Sequence, residues 1–64
     1  MKRTELLALK TDKERIEALP AVDCYDWDVV VDWEQETDNP ENKELYRTYR
    51  CSLYHRMELQ EGIL

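Results

Sequence analysis

The sequence predicts an α+β fold, an N-terminal helix packed on an antiparallel β-hairpin, and three observations predict it. Residues 4–19 carry apolar side chains at helical spacing, residues 25–34 alternate between apolar and mostly acidic side chains, and a turn-forming segment separates that run from a second stretch with strand propensity. A three-helix bundle of the same segments is the competing architecture.

In the first segment Leu6, Leu9, Ile16 and Leu19 fall within one arc, with Lys and Glu residues opposite, which is the signature of an amphipathic helix. Thr11 followed by Glu14 matches a capping box, so the helix is open to division there. Pro20 ends it, because the residue before a proline is pushed out of the helical region.

Residues 22–35 carry the clearest periodicity. Tyr25, Trp27, Val29, Val31 and Trp33 alternate with Asp26, Asp28, Val30, Asp32 and Glu34, the pattern of a half-buried strand. A helix could gather Val22, Tyr25, Val29 and Trp33 on one face, but it would have to carry a run of three Val among several Asp, and both types are indifferent helix formers.

Thr37-Asp38-Asn39-Pro40-Glu41-Asn42 is turn chemistry. Asn39-Pro40 is equally a good helix start, a cap followed by proline at the first helical position. Beyond it, Leu45, Tyr49, Leu53 and Met57 stack at four-residue steps as a helix, with Gly62 as a stop. The strand reading of 43–54 is preferred here, because a lone strand at 25–34 would leave both edges unpaired. In the resulting register Trp33 faces Leu45, Val29 faces Tyr49, Trp27 faces Cys51 and Tyr25 faces Leu53, while Asp28 opposes Arg50. Residues 55–61 are left as a short C-terminal helix.

The chain of 64 residues reads as one small acidic domain, since so short a chain hides only about 60% of the surface its unfolded form exposes. Domains of this size usually lean on a staple, a metal or a second copy, so a homodimer is a natural expectation. No apolar run approaches the roughly 20 residues that cross a bilayer, no signal peptide is read at the basic Met1-Lys2-Arg3 start, and no membrane partner is expected. Two cysteines and no leader place the chain in a reducing cytoplasm without a disulfide.

Charge is the main functional signal. Residues 23–44 hold nine acids against one base, Lys43, a local net of −8, so the overall net of −6 arises entirely there. On a strand, Asp26, Asp28, Asp32, Glu34 and Glu36 would project from one face in steps of about 6.8 Å, with Asp38 following. Such a row resembles a ladder of phosphates and suits a protein partner with a basic surface, such as a nucleic-acid-binding protein. The expected function is therefore a small inhibitor or modulator that mimics nucleic acid, of the kind viruses and mobile elements encode. The six residues expected to bind the partner are Asp26, Asp28, Asp32, Glu34, Glu36 and Asp38. The simpler account of the same charge is a solvated face that keeps a small protein dispersed. A structural or assembly subunit that dimerises or adds its hairpin edge to a partner is the alternative function.

Direct nucleic-acid binding is disfavoured by a sequence pI near 4.6, and Arg47, Arg50 and Arg56 read as partners for the chain's own carboxylates. Catalysis is not expected. Ser52 and His55 point to opposite strand faces, the exposed acids supply no acid–base pair, and the lone Gly62 excludes a glycine-rich phosphate loop. Cys51-x-x-x-His55 has a spacing zinc accepts, but a structural site needs four ligands, and Cys24 would face away from Cys51. Both cysteines are expected as buried free thiols, with no cofactor and no metal. The aromatic residues are expected in the core and along the hairpin, with the enrichment of Trp and Tyr at interfaces as the second role.

Overall fold

Asn39-Pro40, placed above in a hairpin turn, starts the longest element of the fold. The computed structural model describes residues 1–63, and these are 79% helical with no strand among them. The α+β hairpin is therefore corrected to an all-helical fold, which agrees with the competing three-helix arrangement. The elements are α1 (Arg3–Ala8), α2 (Asp12–Ala18), α3 (Trp27–Glu36) and α4 (Pro40–Gln60), with two 3₁₀ turns, Leu19–Ala21 and Cys24–Asp26, between α2 and α3.

The N-terminal helix is divided at the capping signal. Thr11 Oγ1 accepts from the Glu14 backbone N–H at 3.3 Å and donates to Glu14 Oε1 at 2.9 Å, so α2 begins afresh. Pro20 stops it, the chain tightening into the 3₁₀ turn. Leu6 and Leu19 are buried, and Leu9 and Ile16 pack against the core.

The strand expected at 25–34 is instead helix from Trp27 onward, because a helix gathers Val29, Val30 and Trp33 onto one buried face. In the pleated reading Val30 would have stood on the acidic side of the sheet. The β preference of Val amounts to a few tenths of a kcal/mol per residue, and tertiary burial overrides it. Asp26 and Asp28 flank the N-terminus of α3, where the helix dipole favours negative charge.

The strand at 43–54 and the separate helix at 55–61 are one continuous α4. Asn39 Oδ1 accepts from the backbone N–H groups of Glu41 and Asn42 at 2.9 and 3.1 Å, and Pro40 occupies the first turn, where its missing N–H costs nothing. Gly62, at φ +73°, closes the other end: its N–H donates to Leu59 O and the next N–H, of Ile63, to Glu58 O. That pair of bonds is a Schellman cap. With α4 committed, the four cross-strand pairs of the expected register do not exist, and Asp28 does not meet Arg50.

The core consists of Leu6, Ala18, Leu19, Val22, Cys24, Val29, Val30, Trp33, Tyr46 and Leu53, with Leu45, Tyr49 and Met57 packed at its edge. α3 and α4 supply half of these ten residues, and the segment before α3 supplies the other half. No helix among the described residues is long and apolar enough to cross a membrane.

Substituting Asn39→Ala is expected to cost about 0.5–2 kcal/mol, because it removes the side-chain acceptor at the start of the longest helix. Urea unfolding followed by circular dichroism measures that loss.

Candidate functional site

Four polar clusters tie the helices together, and they consume much of the charge that the sequence places on an open face. Asp12, at the start of α2, accepts from Thr37 Oγ1 at 2.6 Å, Asn42 Nδ2 at 2.9 Å and Tyr46 Oη at 2.8 Å. These bonds, the one from Thr37 foremost, hold its carboxyl below the ordinary range. Burial, then the bond to Asp12, pushes the Tyr46 phenol up. Arg15, buried on α2, donates from Nε to Leu9 O at 3.1 Å, stands 5.6 Å over the Trp33 ring and reaches Glu36 at 3.5 Å.

The six acids expected to bind a partner divide unequally. Arg3 donates to Asp26 Oδ1 at 3.0 Å and to Asp28 at 2.9 and 2.5 Å, and these bonds hold the Asp28 carboxyl down. Glu34 is buried and accepts from Arg50 Nε and from Arg47 Nε, the latter at 3.3 Å. The bond from Arg50 first, and that from Arg47, lower its carboxyl against the opposing effect of burial. Glu36 meets Arg15. Asp32 and Asp38 are exposed and carry no ion pair among the described residues.

The expected row of outward carboxylates at strand spacing is thus corrected. A helix turns about 100° per residue, so alternate positions diverge and Glu34 rotates inward. Asp28, Asp32 and Glu36 instead share one stripe of α3 at four-residue steps, about 6 Å apart along the axis. Its two ends are held by arginines of the N-terminal segment, and its middle is free. Glu41, at the exposed start of α4, is likewise without an ion pair among the described residues, and sequence reasoning did not select it.

An aromatic groove of about 450 Å³ is the second feature, lined by Trp27, Arg50, Cys51, Tyr54, His55 and Glu58. Trp27 and Tyr54 meet edge to face with centroids 4.7 Å apart. The spacing of Cys51, Tyr54, His55 and Glu58 (i, i+3, i+4, i+7) marks one helical face, and the strand reading hid it. Cys24 is buried, its Sγ 3.8 Å from Gln60 Oε1, whereas Cys51 is exposed, which corrects the expectation of two buried thiols. Ser52 lines a different recess, with Thr48, Tyr49 and Arg56. Among the described residues no group of three or more His, Cys, Asp and Glu is placed to hold a metal ion.

Comparison with protein-family models, curated proteins and solved structures finds no match to this chain.

Proposed function

We propose that this chain is a small acidic binding protein of the cytoplasm, which modulates another macromolecule by docking exposed carboxylates onto that partner's basic surface. The observation supporting this reading is that Asp32, Asp38 and Glu41 remain exposed and unpaired among the described residues, while the buried polar side chains there all have partners. These acids are therefore not needed to hold the fold.

The stripe Asp28–Asp32–Glu36 extends the same surface. Its end members contact Arg3 and Arg15, but Asp28 and Glu36 are about half exposed, and ion pairs in that setting contribute only about 0–1 kcal/mol. A partner presenting lysines and arginines competes for them at little cost. A nucleic-acid-binding protein fits this description because its groove is built to meet closely spaced negative charge.

Affinity capture from a lysate with the tagged full chain, at low and high salt and with duplex DNA as competitor, tests the reading. Capture is expected to weaken with salt, because exposed charges are screened beyond about 10 Å at 0.1 M salt, and to fall when DNA is added. The double variant Asp32→Asn with Asp38→Asn is expected to lose capture with an unchanged circular dichroism spectrum. Capture that the double variant retains, or that salt leaves untouched, overturns the proposal.

A further inference from the structure

Cys51 and His55 stand four residues apart on α4, both exposed, and both line the groove beside Trp27 and Tyr54. A thiol and an imidazole at i and i+4 project from the same helix face and are the ligand types that zinc favours. Two ligands at this spacing on a helix reach one ion, as two histidines do in metalloprotease helices. One copy of the chain goes no further, since no set of three metal-binding side chains exists among its described residues. A closed zinc site requires four.

We propose that a zinc ion bridges two copies of this chain, taking Cys51 and His55 from each to complete a Cys2His2 tetrahedron. The ligand count selects a second copy: a two-fold axis through the ion doubles two donors into the required four. The position of the pair agrees with this, because Cys51 lies near the midpoint of α4 (Pro40–Gln60), so two such helices cross at their centres.

The rest of the groove supports the metal. Arg50, which also lines the groove, turns its guanidinium to Glu34 on α3. Glu58 is one turn beyond His55 and lines the same groove, positioned for its carboxylate to accept from the imidazole N–H that does not face the metal. Each copy carries a net charge of −6, so two copies repel until the ion joins them, and dimerisation follows metal. Binding converts each Cys51 thiol to thiolate and releases its proton to solvent.

Sedimentation of the full chain under reductant, with zinc chloride or with EDTA, tests the proposal alongside the cobalt(II) spectrum, which reports thiolate ligation and tetrahedral geometry. The expected result is one zinc per two chains, a doubled mass that EDTA reverses, and loss of that doubling in Cys51→Ser and in His55→Gln, both with helical spectra intact. Glu58→Gln is expected to weaken zinc binding by about 10–100-fold while leaving the stoichiometry alone. Absence of zinc uptake, saturation at one zinc per chain, a dimer that persists in EDTA and reductant, or undiminished binding by Cys51→Ser and His55→Gln overturns it. Asp32 and Asp38 lie outside the groove, so none of these outcomes bears on the acidic surface.

Discussion

Replacing Trp33 with alanine is expected to abolish cooperative folding at room temperature. Trp33 is 2% exposed, its ring lies 6.0 Å from that of Tyr46, and the Arg15 guanidinium covers it. Large-to-small substitution of a buried aromatic costs about 3–5 kcal/mol, the lost transfer free energy plus the cavity left behind. A domain of this size holds only about 3–5 kcal/mol in total, so the two quantities cancel. Urea titration by circular dichroism is expected to show a sloping line without a midpoint. The control is Trp27→Phe, at a half-buried position where an aromatic ring is kept against Tyr54, and a sigmoidal transition is expected there. A cooperative transition in Trp33→Ala within about 1 kcal/mol of the parent would mean that the core does not centre on this ring.

The same residue shows why one part of the fold was legible in the sequence and another was not. Trp33 satisfies both periodicities: it lies two and four residues after Val31 and Val29, as a strand face requires, and four after Val29, as a helix face requires. The arbiter is Val30, which the alternating pattern sends to the acidic face and the helix buries completely. Local preference could not weigh that burial, because it depends on α4 lying alongside. The start of α4 is written plainly in Asn39-Pro40, and its end in Gly62, but a strand at 25–34 would need a paired neighbour, and that demand points 43–54 toward strand. Signals confined to neighbouring residues, the Thr11 cap and the Pro20 stop, are realised where the sequence places them.

The acidic surface follows the same division. That residues 23–44 concentrate negative charge is a matter of composition, but which acids face solvent depends on contacts 16–25 residues away. Arg3 reaches Asp28, Arg15 reaches Glu36 and Arg50 reaches Glu34, and none of these pairs is a sequence neighbour. Asp32 escapes because no basic residue of another element lies within ion-pair distance of it among the described residues. The exposure of Cys51 is the counterpart for thiol chemistry: a burial-prone residue type ends up outside once the helix turns its other face inward.

Acidification is expected to unfold the chain, and Asp12, which accepts three side-chain hydrogen bonds, is one of the points where it acts. Its carboxyl, like those of Glu34 and Asp28, sits below its ordinary value in the folded state because hydrogen-bond donors stabilise the charged form. The unfolded chain, with carboxyls near about 4, therefore takes up protons before the folded one does. Stability is fully present above that range, declines as pH falls through it, and is lost as pH drops through the depressed folded values. At neutral pH the three carboxylates contribute their full effect, and raising pH further adds nothing from them. Replacing Asp12 by alanine removes the acceptor shared by Thr37, Asn42 and Tyr46, and the Tyr46 hydroxyl belongs to a residue that is 0% exposed. Leaving such a donor unmet costs about 1–3 kcal/mol, a large share of the total. Asp12→Asn keeps an acceptor oxygen but not the titration, so its stability at neutral pH is expected to be lower and its fall between neutral and acid pH shallower than the parent's. Thermal unfolding of both variants at a series of pH values separates these effects. If Asp12→Asn loses stability in acid as steeply as the parent, the acid sensitivity resides in Glu34 and Asp28, and the clasp at the α3–α4 turn contributes through its hydrogen bonds alone.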